Sequence, residues 1–189
     1  GAVWSGYNPA PGVFNSTYIT VIHQTVQRLN EQGIYVLLDM HQDIISSKFC
    51  LYDGAPRWVI DKSKPTHDYP FPLAASGALG DNCTRTGSPS SPCNCSAWPW
   101  SENALTVAAA TAYQDIYDNN HGMLDDLARF WVEAAKQFKD IPGIIGYEIM
   151  NEPFAGNIFE QPELLLPGVA GRRNLQRMHD AVATKIREV

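Results

Sequence analysis

Apolar positions repeat in two different periods along this chain, and the alternation of those periods sets the architecture. From Asn15 or Ser16 to Asn30, the residues Tyr18, Ile19, Ile22, Val26 and Leu29 recur at helical spacing, and Gly33 ends the helix. Ile34 to Met40 follows as a continuous apolar run rich in strand formers. That pattern suits a parallel strand covered on both faces. The run ends in His41, Gln42 and Asp43. Gly122 to Phe138 is an amphipathic helix whose apolar face includes Leu127, Phe130, Trp131 and Ala134. Pro142-Gly143 then turns the chain into a second strand, Ile144 to Met150, which runs into Asn151-Glu152-Pro153. Pro153 has no N–H to give a ladder, so the strand stops there. After a loop to about Pro167, Val169 to Val189 is a basic helix with Leu175, Met178, Val182 and Ile186 on one face.

Two stretches lack this regularity. Val3-Trp4 and the Gly6 to Gly12 segment read as a strand end and a proline-rich loop. From Ile44 to about Asn120, Pro, Gly, Ser and Asn are dense, and only one short helix, Ala104 to Tyr117, is predicted. So long a connection is normally functional or disordered, and Trp58, Trp98 and Trp100 argue against full disorder.

Alternating strands and helices give an α/β fold with right-handed crossovers and a parallel sheet. Both complete strands end in ionisable residues, as on the active-site face of a (β/α)₈ TIM barrel. Such a barrel takes about 250 residues. Residues 1–189 therefore read as a partial barrel, somewhat under half of one and internal to a longer chain. A doubly wound sheet is disfavoured because no Gly-rich phosphate loop follows either strand.

Composition narrows the chemistry. A net charge of −6 without a Lys/Arg patch disfavours nucleic acid and anionic membranes as partners. No apolar run approaches the roughly 20 residues of a transmembrane span. The first residues lack Met, a basic flank and an apolar core, so no targeting signal is visible. Cys50, Cys83, Cys93 and Cys95 accompany three sequons, at Asn15, Asn82 and Asn94. Together they point to an oxidising secretory compartment, secreted or lysosomal, and to two disulfides in one of three connectivities. Zinc is disfavoured because Cys93-Asn94-Cys95 lacks ligand spacing and no paired His follows. No metal or cofactor is expected, and oligomeric state is left open.

Strand alternation places Asp39, His41 and Asp43 on one side and Gln42 on the other. Tyr147, Ile149 and Asn151 alternate against Glu148, Met150 and Glu152 unless a bulge intervenes. Polar strand ends in a barrel converge on one pocket. Glycoside hydrolysis needs such a pocket, with two carboxyl groups and hydrogen bonds to sugar hydroxyls. Glu152 is the candidate acid, His41 a donor to a sugar hydroxyl, and Asp43 an acceptor for paired hydroxyls. The competing reading of His41 and Asp43 is a polar cap on the strand end. Asp39 sits one layer deeper and reads as structural, and His23, His67 and His179 as ordinary surface or helix residues.

Three segments carry a resemblance: Leu38-Asp39-Met40-His41-Gln42-Asp43, Gly54-Ala55-Pro56-Arg57-Trp58, and Gly146 to Pro153. They resemble glycoside hydrolase family 5, closest to its endoglycoceramidase-related branch. The first two are much more specific to that branch than Asn-Glu-Pro alone. The resemblance numbers the visible elements as about strands 2–4 of the barrel, with a long loop inserted after the third. It implies a retaining mechanism with two glutamates. Glu152 matches the acid/base, Asn151 the residue that binds the sugar 2-hydroxyl, and His41 and Asp43 sugar contacts. Trp100, or else Trp98, matches a sugar-stacking aromatic. The implied substrate is a glycosphingolipid, cut between glycan and ceramide or relieved of glucose. A β-glucan, another β-glycoside, or a catalytically inactive carbohydrate- or lipid-binding role are the alternatives. The family's nucleophile lies at the seventh strand, which this chain does not contain, and Glu160 and Glu163 are not at that position.

Overall fold

A computed structural model describes residues 1–50, 53–73 and 99–189. Seven α-helices and two strands are assigned among them. In order they are α1 (Trp4–Tyr7), α2 (Ser16–Glu31), β1 (Val36–Asp39), α3 (Arg57–Ile60), α4 (Trp100–Ala104), α5 (Val107–Tyr117), α6 (Met123–Phe138), β2 (Ile144–Glu148) and α7 (Gln176–Arg187). The strands pair in parallel, as the helical crossover requires.

Local chemistry sets most boundaries. The Asn15 side chain caps α2 by accepting from the Tyr18 amide at 3.1 Å. Thr106 caps α5 in the same way, accepting from Ala109. Asp125 and Asp126 occupy the first turn of α6, where the helix dipole favours anions. Asp126 is buried and is held by Lys62 and by Arg129 at 3.1 Å.

Several expectations are corrected. Val3-Trp4 is not a strand end but the entry to α1. Trp4 and Tyr7, three apart and both fully buried, pack on Phe130 of α6 at 5.9 and 5.4 Å. The predicted helix over 104–117 is α5, which ends at Tyr117 as expected but starts only after Thr106, its cap; Ala104 is the last residue of α4. The final helical run does begin at Val169, and its first part includes a π-helical turn over Gly171–Leu175 that leads into α7. The long connection holds more helix than the one predicted, since α3 and α4 lie within it beside α5.

The first strand is shorter than its apolar run. Ile34 and Tyr35 precede it, exposed. Nor is the sheet covered on both faces. Leu38 and Met40 are buried in the core, whereas Leu37 and Ile145 are 50% and 67% exposed. A register irregularity between Val36 and Leu37 skips Ile145, so that Leu38 pairs with Tyr147 and Asp39 with Glu148. Tyr147 thereby reaches the helical layer, 5.5 Å from the Trp131 ring. Most of α5 is buried, consistent with its position inside the helical layer. His23 lies against Phe138 and His67 stacks on Phe71. Among the described residues, no helix is long and apolar enough to cross a membrane.

Candidate active site

The two strands stay joined beyond their last ladder residues. The Met40 amide donates to Glu148 O at 3.1 Å, and the Asn151 amide to Met40 O at 3.1 Å. Side chains then continue the link. Asn151 Nδ2 donates to the Gln42 carbonyl at 2.7 Å, and Gln42 Nε2 to the Asn151 carbonyl at 3.0 Å. Gln42 Nε2 also donates to the Tyr113 hydroxyl of α5 at 3.0 Å. Gln42 is 1% exposed, which fits its predicted place on the face opposite His41.

On that other face the strand end presents a charged cluster. His41 Nδ1 donates to Asp39 Oδ2 at 2.9 Å, and Nε2 lies 3.7 Å from Asp43 Oδ1. The Asp39 bond selects the Nδ1–H tautomer in the neutral ring. Asp39 thus orients the His41 ring. Asp53, which sequence reasoning did not find, completes the group. The ligand atoms of His41, Asp43 and Asp53 lie within 4.8 Å of one another. The Asp43 amide donates to Asp53 Oδ1 at 3.4 Å.

The hydrogen bond to Asp39 raises the His41 pKa above its ordinary 6.5; desolvation opposes this, and the charges of Asp39, Asp43 and Asp53 reinforce it. Burial pushes the Asp53 carboxyl up from 3.8. The Asp43 charge adds to that rise, while the Asp43 amide and His41 pull the other way. These three side chains could hold a cation, Asp53 being the third ligand that the sequence did not offer. The same set equally suits sugar hydroxyls, which accept from the Nε2–H of an imidazolium and donate to carboxylates.

Asp53 is brought in by the turn that follows it. Gly54 has φ +82°, and a Cβ there would lie 2.5 Å from the Ile45 carbonyl oxygen. Only glycine fits that approach. Gly54 bridges to Ser46, and the Ala55 amide donates to Ile45 O at 2.7 Å. The Gly-Ala-Pro motif is therefore a fold element that returns the chain to the strand end. Trp58, in the same motif, donates its indole N–H to Asn8 O at 3.1 Å.

Glu152 is exposed and has φ +40°, a left-handed conformation for a non-glycine residue. Strand alternation ends at Glu148, so it does not place this side chain. Such backbone costs about 1–3 kcal/mol and persists only where its surroundings hold it. The downstream loop is held firmly. Tyr117 donates to Phe154 O at 2.6 Å, and Asn174 Nδ2 to Ala155 O at 2.7 Å. Gly156 has φ +114°, and a Cβ there would meet Gln114 Oε1 at 2.3 Å. Gln114 also bonds Asn174 and accepts from the Asn157 amide.

The structure thus brings Asn151, Glu152, His41 and Asp43 to adjoining strand ends. Trp100 opens α4. Trp98, Cys83, Cys93, Cys95, Asn82 and Asn94 lie outside the described residues. Besides Asp53, sequence reasoning missed Tyr113 and the part played by Gln42. Asp53 adjoins the Gly-Ala-Pro turn, which was the available signal. Tyr113 offered none, as one aromatic in an Ala-rich helix.

Parallel strands that end side by side in a polar cluster, with helices packed behind them, are part of a (β/α)₈ barrel. The chain belongs to the cellulase family, glycosyl hydrolase family 5, which it matches over residues 2–189. It is 43% identical to an endoglycoceramidase of Hydra vulgaris and 42% identical to one of Cyanea nozakii, over 189 residues in each case. All of this chain is covered in both alignments, but only 35% and 36% of those relatives, so it spans about a third of their length. The solved structure of endo-glycoceramidase II from Rhodococcus sp. in complex with ganglioside GM3 superposes with a TM-score of 0.66 at 22% identity. That match covers 99% of this chain and 37% of the other, and the likeness is one of fold.

Proposed function

We propose that this chain carries the proton-transferring part of a retaining glycosidase that cleaves β-glycosidic bonds in glycosphingolipids. One observation carries the reading. Glu152 stands exposed at the end of β2, next to Asn151, which is bonded to the strand end bearing His41 and Asp43.

Glu152 gives its proton to the glycosidic oxygen as the bond from that oxygen to the anomeric carbon breaks. A second glutamate, from a later strand outside this chain, attacks the anomeric carbon and forms a glycosyl ester. Glu152, now a carboxylate, takes a proton from water. The water oxygen bonds the anomeric carbon and displaces the ester. His41, in its protonated form, donates through Nε2 to a sugar hydroxyl, since Nδ1–H is used on Asp39, and Asp43 and Asp53 accept from others. Asn151 uses one Nδ2 hydrogen on Gln42, so its second hydrogen and Oδ1 serve the sugar 2-hydroxyl. Trp100, or alternatively Trp98, stacks on the apolar face of a sugar. Glu152 is exposed in this chain, so the cover over its carboxyl comes from the rest of the barrel.

The endoglycoceramidase relatives support the glycosphingolipid substrate. The family description as a cellulase favours a second reading, a β-glucan or another β-glycoside. Hydrolysis of a fluorescent glycosylceramide, compared with a soluble β-glucan, distinguishes them. In the full-length protein Glu152→Gln abolishes turnover of unactivated glycosides, and near-normal activity in that variant would sink the assignment.

The protein is further proposed to pass through the secretory pathway. Cys50 is not a free thiol, and Asn15 is exposed with its amide nitrogen uninvolved in the cap. Peptide mapping with and without reductant tests a bridge from Cys50 to Cys83, Cys93 or Cys95. Enzymatic deglycosylation tests Asn15, Asn82 and Asn94.

A further inference from the structure

We propose that Gln42 is a positioning residue for Glu152, and that its amide nitrogen fixes the peptide plane from which the acid issues. The inference rests on the reading of Glu152 as the acid/base.

The carbonyl that Gln42 Nε2 grips is that of Asn151, at 3.0 Å. This carbonyl belongs to the peptide bond leading into Glu152, and a peptide is planar. Holding the oxygen therefore holds the Glu152 amide nitrogen, about which φ turns. That φ is +40°, a conformation the chain does not adopt unaided. The return bond, from Asn151 Nδ2 to the Gln42 carbonyl at 2.7 Å, sets the same plane from the residue before. The second Nε2 hydrogen goes to Tyr113, which is 1% exposed and whose ring lies tilted at 5.8 Å from that of Phe154, two residues past the acid. Gln42 thus ties β1, α5 and the Glu152 peptide at one buried point.

The amide orientation follows from its partners. Reversed, it would set Oε1 against the Asn151 carbonyl oxygen, acceptor against acceptor. In the observed orientation Oε1 is buried without a hydrogen-bond partner among the described residues. An unpaired buried acceptor is costly, and an apolar side chain of the same shape would avoid it. The site keeps glutamine at that cost because both N–H groups are used.

The test uses the full-length protein and two β-glycosides of the same sugar, one with an activated aryl leaving group and one with an alkyl leaving group. An acid is needed most where the leaving group is poor. Gln42→Met keeps the volume and removes both donors. Expected is a fall in kcat of about 10- to 100-fold on the alkyl glycoside, a much smaller fall on the aryl glycoside, and little change in KM. Gln42→Glu supplies one donor only when protonated, so its activity relative to wild type should fall as pH rises. Glu152→Gln serves as the reference and should show the same leaving-group signature, only larger. If it shows that signature and Gln42→Met stays within about twofold of wild type, or loses both substrates equally, the positioning role is wrong and the acid assignment stands. If Glu152→Gln lacks the signature, the acid assignment fails first. Should Gln42→Met not fold, the pH dependence of Gln42→Glu decides, and a flat ratio to wild type overturns the proposal.

Discussion

Asp39 and His41, two residues apart on one strand end, are bonded through Oδ2 and Nδ1 at 2.9 Å. Their spacing makes this possible, because residues i and i+2 of a strand share a face. The bond fixes the imidazole orientation and directs Nε2 towards Asp43. The imidazole should titrate above the ordinary 6.5. With its folded value raised, the histidine contributes stability in full below about 6.5, and that contribution is lost as pH rises through the higher folded value. The ring is 45% exposed, so the contribution is small. Imidazole NMR titration of the full-length protein should give a midpoint above 6.5, and Asp39→Asn should bring it back towards that value. An unchanged midpoint in Asp39→Asn would remove Asp39 as the cause.

Asp53 has the opposite relation to stability. Its carboxyl is raised from 3.8 chiefly by burial, so ionising it opposes folding. The folded state binds the proton more tightly, and stability therefore falls as pH rises through the carboxylate range. Asp53→Asn keeps an oxygen for the Asp43 amide and removes the charge. A higher Tm is expected at neutral pH, with the gain vanishing near pH 3.8 and below. A thermal-melt series in pH checks this, and a lower Tm at neutral pH would contradict it. The same variant should weaken sugar binding if Asp53 accepts a hydroxyl.

Gly54→Ala should be among the most damaging small substitutions in the chain. The new Cβ would meet backbone, the Ile45 carbonyl, and not a side chain that can swing away. A positive φ adds its own cost of about 1–3 kcal/mol. Urea unfolding should show a loss of at least about 2 kcal/mol, whereas Gly12→Ala, with open space around it, should lose only its backbone term.

The 189-residue chain on its own should be inactive and prone to association. Tyr35, Leu37 and Ile145 expose 70%, 50% and 67% of their surfaces on or beside a two-stranded sheet. Exposed strand faces and edges bind dyes and other chains. Strong fluorescence with a hydrophobic dye and elution above monomer mass are expected. A monomeric, active product of this length would refute both this and the need for a second carboxylate.

Much of the fold was legible because period and burial agree. Phe130, Trp131 and Phe138 mark α6 by spacing alone, and the buried pair Leu38 and Met40 marks the core side of β1. What the sequence hid depends on pairing. The skipped Ile145 is visible only against Val36 and Leu37 of the partner strand. The left-handed Glu152 is stabilised by groups more than a hundred residues earlier, and no local propensity signals it. Asp53 was hidden for a similar reason, since a glycine turn and not a strand carries it to His41. The polar character of the site was readable because alternation places Asp39, His41 and Asp43 together. Its support by Tyr113 and Gln42 was not, because buried amides and phenols look the same in sequence whether they serve a site or fill space.

The alternation at the end of β1 has an evolutionary consequence. Asp39, His41 and Asp43 interleave one by one with Leu38, Met40 and Gln42, so consecutive positions answer to different demands. A substitution at one charged position can change the polar surface of the strand end and leave the core intact. An insertion or deletion of a single residue cannot, because it would turn the charged set inward and the buried set outward at once. This strand end can therefore vary in identity but not in length, and relatives with different sugar preferences should differ here by replacements alone, with their length changes confined to the loops beyond.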